Sequence, residues 1–145
     1  MTPTNKDLCK NDGWKNYIDN NGNILFKNQG ACVSYVVKKF GTFIAEDSLY
    51  YNCPTVCGSL YATGPISFTW DKNTGNIIGG YYTENVGGIL YYNIITGGSV
   101  VGGTVNLTFD RTKPNVNHFT FIGTLTDNVL TGQLDGPYFF TATEN

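Results

Sequence analysis

At 145 residues the chain has the size of one domain, long enough to bury a core and too short for two independent ones. Charged residues make up 14%, well under the roughly 25% of an average soluble domain; glycine, asparagine, threonine and tyrosine carry the surface instead, a balance that points outside the cell. A net charge of −2 gives no basic field for nucleic acid or anionic lipid, and no stretch nears the roughly 18 apolar residues of a membrane span.

The chain opens with MTPTNKD, which lacks the basic start and apolar run of a secretory leader. For a secreted protein the expectation is that Met1 stands in place of a removed leader. Two cysteine-anchored blocks follow, CKNDGW (Cys9 to Trp14) and FKNQGACVSYV (Phe26 to Val36). Between them YIDNNGNILF is punctuated by Asn20-Asn21-Gly22, a tight-turn signal that suits a hairpin or a simple loop. The second block reads as the start of a helix. Asn28 is placed as its N-cap, Cys32, Val36 and Phe40 fall at i, i+4 and i+8, and Val33 and Val37 flank them into one apolar stripe. Lys38 and Lys39 complement the helix dipole in the last turn, and Gly41 is expected to stop the helix.

The two blocks together resemble a motif, CKNGGW followed by FKNQGxCVSxV, of small secreted bacterial proteins of unassigned function. It covers about the first quarter of the chain, and Asp12 stands where that pattern has a second glycine. The resemblance implies a compartment and a lineage, not a reaction.

Four cysteines, Cys9, Cys32, Cys53 and Cys57, permit three pairings. Cys9–Cys32 with Cys53–Cys57, the latter closing a tight loop around Pro54, is the first choice; crossed pairings would staple the helix to the segment that follows. Zinc is the rival, poorly served by a C-x3-C spacing with no histidine nearby, and free buried thiols are the third option. The chain divides near Gly58: residues 1–57 form a cysteine-containing segment packed as a cap, residues 58–145 a β-barrel, and together they make a single domain.

From Ser59 onward the period becomes two. Ile66, Phe68 and Trp70 alternate with polar neighbours, as do Val105, Leu107 and Phe109, then Phe119, Phe121, Gly123 and Leu125. Turns are expected at Asp71–Gly75, Asn85–Gly88, Gly97-Gly98, Lys113–Asn115, Asp127-Asn128 and Asp135–Pro137, leaving about eight short strands. ISFTWDKNTGN (Ile66 to Asn76) and VNLTFDRTKPN (Val105 to Asn115) share an order of residue types at an offset of about four strands, as a duplication would. The fold class is therefore mainly β: an antiparallel up-and-down barrel of about eight strands with one short N-terminal helix, closure being the complete way to hide sheet edges. A two-sheet sandwich is the alternative. The tail FIGTLTDNVLTGQLDGPYFFTAT looks like the last three strands of lipocalin-like or avidin-like small barrels.

Chemistry-bearing groups are few. His118 is the one histidine, at a strand start on the polar side, and no Ser-His-Asp or Cys-His set follows from spacing. Asp71, Asp110, Asp127 and Asp135 sit where Asp shapes turns. Asp71 and Asp110, at equivalent places in the repeat, are the only pair expected at one rim. With His118 they are the weak catalytic candidates. No cofactor or metal is implied. The sequon Asn106-Leu107-Thr108 lies within a strand and reads as chance.

Aromatics are the more suggestive set. Adjacent pairs occur at Tyr50-Tyr51, Tyr81-Tyr82, Tyr91-Tyr92 and Phe139-Phe140, so one ring of each pair must leave the barrel interior. The leading expectation is non-catalytic binding of a glycan or small apolar molecule through Trp70, Tyr81, Tyr82, Tyr91 and Tyr92. A self-associating structural protein of a cell surface, matrix or virion is the second reading. A barrel-cavity enzyme of cyclase or isomerase type, with His118 or a rim Asp as acid or base, is the third.

Overall fold

The structure, a computed structural model, describes residues 1–50, 60–135 and 138–144 and the backbone of Tyr51. The chain separates into two compact units, Met1–Gly41 and Thr42–Asn145.

The first unit is built around one helix, α1 (Gln29–Lys39), and two single-turn 3-10 segments at Asp7–Cys9 and Gly13–Asn16. Asn28 caps α1, its side chain accepting from the Ala31 N–H at 2.8 Å. Cys9 and Cys32 form a disulfide. They lie buried with Phe26, Val36 and Phe40, against which Trp14, Tyr17 and Tyr35 pack. The stripe is narrower than expected, because Val37 is exposed. Asp12 adopts φ 63°, the left-handed region that Gly enters freely and Asp tolerates. Around Asn20-Asn21-Gly22 the chain does reverse, bridging Ile18 to Ile24, with the Asp19 carboxylate accepting the Asn21 and Asn23 N–H groups. The expected Cys53–Cys57 bond lies outside the described residues.

The second unit is a closed antiparallel barrel of eight strands in sequence order. These are β1 (Phe40–Tyr51), β2 (Leu60–Asp71), β3 (Ile77–Val86), β4 (Ile89–Val101), β5 (Thr104–Lys113), β6 (Asn117–Thr126), β7 (Val129–Leu134) and β8 (Tyr138–Glu144). Closure comes from β1 against β8, in register from Ala45 opposite Glu144 to Tyr51 opposite Tyr138. The barrel thus starts well before Gly58. GTFIAEDSLYY follows α1 without a turn and supplies the first strand, Phe43, Ala45, Asp47 and Leu49 facing inward and buried. Seven strands, not eight, follow from residue 60.

Two further expectations change. Gly97-Gly98 is not a turn: β4 runs on to Val101, with a register shift between Ile95 and Gly97. Gly98 sits at φ 124°, and a Cβ there would strike the Asn106 carbonyl oxygen, so glycine permits a kink within the strand. The supposed duplication also fails geometrically. Its two copies lie on β2 and β5, three strands apart, and strands three apart in an up-and-down barrel run antiparallel. Asp71 and Asp110 are therefore at opposite rims rather than one.

Strand alternation fills most of the interior with rings. Phe43 stacks on Phe68 at 5.3 Å, and Phe121 meets Phe140 edge-on at 5.2 Å. Ile66, Ile95, Val105, Leu107 and Leu130 complete a dry layer. Eight strands give an interior that side chains just fill, and over this length they do.

Candidate functional site

Toward the end where β1 finishes and β2 begins, the same inward parity places polar groups. On β3 it buries Tyr82 and Glu84, on β4 Asn93, on β1 Asp47, and on β5 it turns Arg111 inward. Register brings them together: Tyr82 is opposite Asn93, Glu84 opposite Tyr91, and Asn93 opposite Arg111. The last pairing depends on a bulge. Between Ile95 and Gly97 β4 carries one extra residue, and beyond it Ile95–Phe109, Ile94–Asp110 and Asn93–Arg111 run in one register, with Arg111 on the inner face by the alternation of β5.

The result is a continuous buried chain. Arg111 Nη2 donates to Glu84 Oε2 at 2.7 Å and its Nε donates to Asn93 Oδ1 at 3.0 Å. Asn93 Nδ2 donates to the Tyr82 carbonyl at 2.9 Å, and the Tyr82 hydroxyl donates to Asp47 Oδ2 at 3.0 Å. The guanidinium is also clasped between two rings, 4.5 Å from the Tyr91 centroid and 5.2 Å from that of Phe119, so both cation–π attraction and hydrogen bonds fix its plane. Tyr82 joins the two halves of the interior, its ring packing edge-on against Phe109 and Phe140.

Burial sets the electrostatics. It pushes the Asp47 carboxyl up to about 7, against the Tyr82 hydrogen bond, and the Glu84 charge adds to the rise. Among the described residues Asp47 Oδ1 has no hydrogen-bond partner. Burial also raises Glu84, opposed by the Arg111 guanidinium. Tyr82 is pushed well above its ordinary value by burial and then by the two carboxylates beside it.

Over this chain the described residues leave the barrel unfilled. A cavity of about 220 Å³ opens at the mouth. Leu49, Val86, Phe119 and Leu134 form its apolar wall, Arg111 and Glu84 face it, and Tyr61, Tyr91 and Tyr138 line its outer part. An engineered apolar cavity of roughly 150 Å³ is enough to take up benzene, so the space suits a ring with a small substituent.

Of the candidate binding and catalytic residues named from the sequence, one lines this cavity. Tyr91 lines it; Tyr82 lies beneath it, fully buried; Trp70 packs on Phe68 toward the other end, at 5.8 Å between rings. Tyr81 and Tyr92 point outward and are about half exposed, at 50% and 45%. His118 is on the outer wall, its Nδ1 2.6 Å from Asp110 Oδ1, where the pair is well exposed. Asp71 shapes the turn after β2, accepting the Asn73 and Thr74 N–H groups. Among the described residues no cluster of His, Cys, Asp or Glu has the make-up of a metal site, and no helix is long and apolar enough to cross a membrane. Sequence reasoning missed Asp47, Glu84, Asn93 and Arg111. Their signal was present: each shares the parity of the buried apolar residues on its strand. Comparison with protein-family models, curated proteins and solved structures finds no match.

Proposed function

We propose that this barrel binds a small molecule in its mouth without transforming it. The observation that carries the reading is the unfilled space of about 220 Å³ above a guanidinium held rigid by two rings, a carboxylate and an amide. Ligand sites commonly combine apolar walls with a few fixed polar groups in this way. A buried Arg–Glu pair is costly to desolvate and is often no more stabilising than apolar packing, so its place at the edge of an unfilled cavity favours a binding role over a purely structural one. The Cys9–Cys32 disulfide supports an oxidising, extracellular setting. A second reading, glycan stacking on the outer wall, rests on the exposed Tyr81 and Tyr92 rings of neighbouring strands.

The first reading is tested with indole as a probe, following the methyl resonances of Val86 and Leu134 by NMR. Saturable shifts confined to the mouth are expected, and Leu134→Trp, which fills the cavity, is expected to remove them. Absence of shifts in the native protein, or their survival in Leu134→Trp, would overturn it.

A further inference from the structure

The charges around the cavity define the class of ligand that a binding role there would serve; the inference rests on the small-molecule reading above. A guanidinium has five N–H groups. Arg111 uses one on Asn93 and one on Glu84, which leaves three without a partner among the described residues, on a side chain that lines the cavity. Among the described residues the guanidinium therefore has donors to spare. Hydrogen bonds from a charged donor are the strong kind, about twice a neutral one, so an oxygen reaching Arg111 gains much of its binding there.

That oxygen should not bring a charge. Glu84 already balances Arg111 at 2.7 Å. The other acidic groups nearby are Asp135 at the rim and Asp47 one inward position below Leu49 on β1. A carboxylate ligand would be a second anion beside Glu84, and an ammonium would face the guanidinium. Either would leave the site with an unbalanced charge, which is costly where it is buried. A neutral carbonyl takes the free N–H groups and leaves the balance intact. We infer that the ligand is an uncharged ring compound carrying a carbonyl oxygen, of ketone, amide or lactone type, with the oxygen on Arg111 and the ring against Leu49, Val86 and Leu134.

Benzamide, benzoate and benzylamine have nearly one shape and differ in charge, and indole supplies a ring with no acceptor oxygen. Titrated by NMR at neutral pH, benzamide is expected to bind about tenfold more tightly than benzoate, which brings an unbalanced charge, or benzylamine, which brings a charge and no acceptor oxygen. Glu84→Gln leaves the guanidinium unbalanced, and benzoate is then expected to overtake benzamide. The double variant Glu84→Gln/Arg111→Met carries no unpaired buried charge; it should lose the benzamide preference and keep indole. Tightest binding of benzoate by the native protein, or a benzamide preference that survives the double variant, would overturn the inference. Indole binding with no preference among the three would also overturn it while leaving the cavity a binding site, whereas failure of all four probes would remove the site itself. Should the double variant fail to fold, the native ranking and the Glu84→Gln reversal decide.

Discussion

One alternation of side chains builds both halves of the barrel interior, yet they bury opposite kinds of residue. In the dry half, Phe43, Phe68, Phe121, Phe140, Ile95 and Leu107 leave no polar atom to satisfy. In the mouth half, Asp47, Tyr82, Glu84, Asn93 and Arg111 are carried in at the same parity and require four mutual hydrogen bonds to be tolerated. Filling the mouth with aliphatic side chains would continue the dry core at lower desolvation cost. The difference teaches that the fold is held by one half, while the other departs from the most stable solution, as functional sites commonly do.

The largest effect should come from the dry half. Phe68 is fully buried between Phe43 and Trp70, so Phe68→Ala is expected to cost about 3–5 kcal/mol in denaturant unfolding, a large share of a typical domain's stability. A loss below about 1 kcal/mol would mean that the dry half does not carry the fold. In the mouth half the next effect is one of pH. Asp47 rises from 3.8 to about 7 on folding. Its contribution is therefore fully present below the unfolded value and is lost as pH climbs through the folded one. Stability should fall on the order of 3 kcal/mol between pH 4 and pH 8 on this account, with Glu84 acting in the same direction. Asp47→Asn keeps an acceptor for Tyr82 and should flatten that fall, gaining most at pH 8. Parallel pH profiles for the two proteins would show that Asp47 is not the group responsible.

Legibility in the sequence divides along the same line. The dry half was open to view, because Ile66-x-Phe68-x-Trp70 and Val105-x-Leu107-x-Phe109 announce their faces by apolar residues alone. β1 was hidden by its neighbour: the helical spacing of Cys32, Val36 and Phe40 runs straight into GTFIAEDSLYY, and Glu46-Asp47 in its middle masks the inward set of Phe43, Ala45 and Leu49. The mouth was harder for the same reason. Arg111 continues the parity of Val105, Leu107 and Phe109, and Glu84 that of Tyr82 and Val86, but a charge on an apolar face reads as the end of the strand's buried stretch. The register shift between Ile95 and Gly97 that brings Asn93 opposite Arg111 is marked only by Gly97-Gly98, which reads as a turn. Tyrosine pairs pointed to a split between inside and outside, which the structure shows at Tyr81-Tyr82 and Tyr91-Tyr92, without indicating which ring meets the cavity.

Those pairs provide the smallest effects and the sharpest separation of the two functional readings. Tyr81 lies opposite Ile94 and Tyr92 opposite Thr83, all on the outer wall, so truncating either ring removes cross-strand contacts worth under about 1 kcal/mol each. The double variant Tyr81→Ala/Tyr92→Ala is expected to fold, with an unfolding midpoint close to that of the native protein and an unchanged indole titration. Tyr91→Ala, by contrast, removes the ring under the guanidinium at 4.5 Å and part of the cavity wall; probe affinity should fall about fivefold to tenfold, in line with a cation–π contact of about 1 kcal/mol. If soluble chito-oligosaccharides bind the native protein and the outer double variant loses them while Tyr91→Ala keeps them, ligand recognition belongs to the outer wall and the mouth is an expensive piece of packing. If the outer rings matter to neither probe and Tyr91 matters to indole, recognition lies inside the barrel, where the buried charges already are.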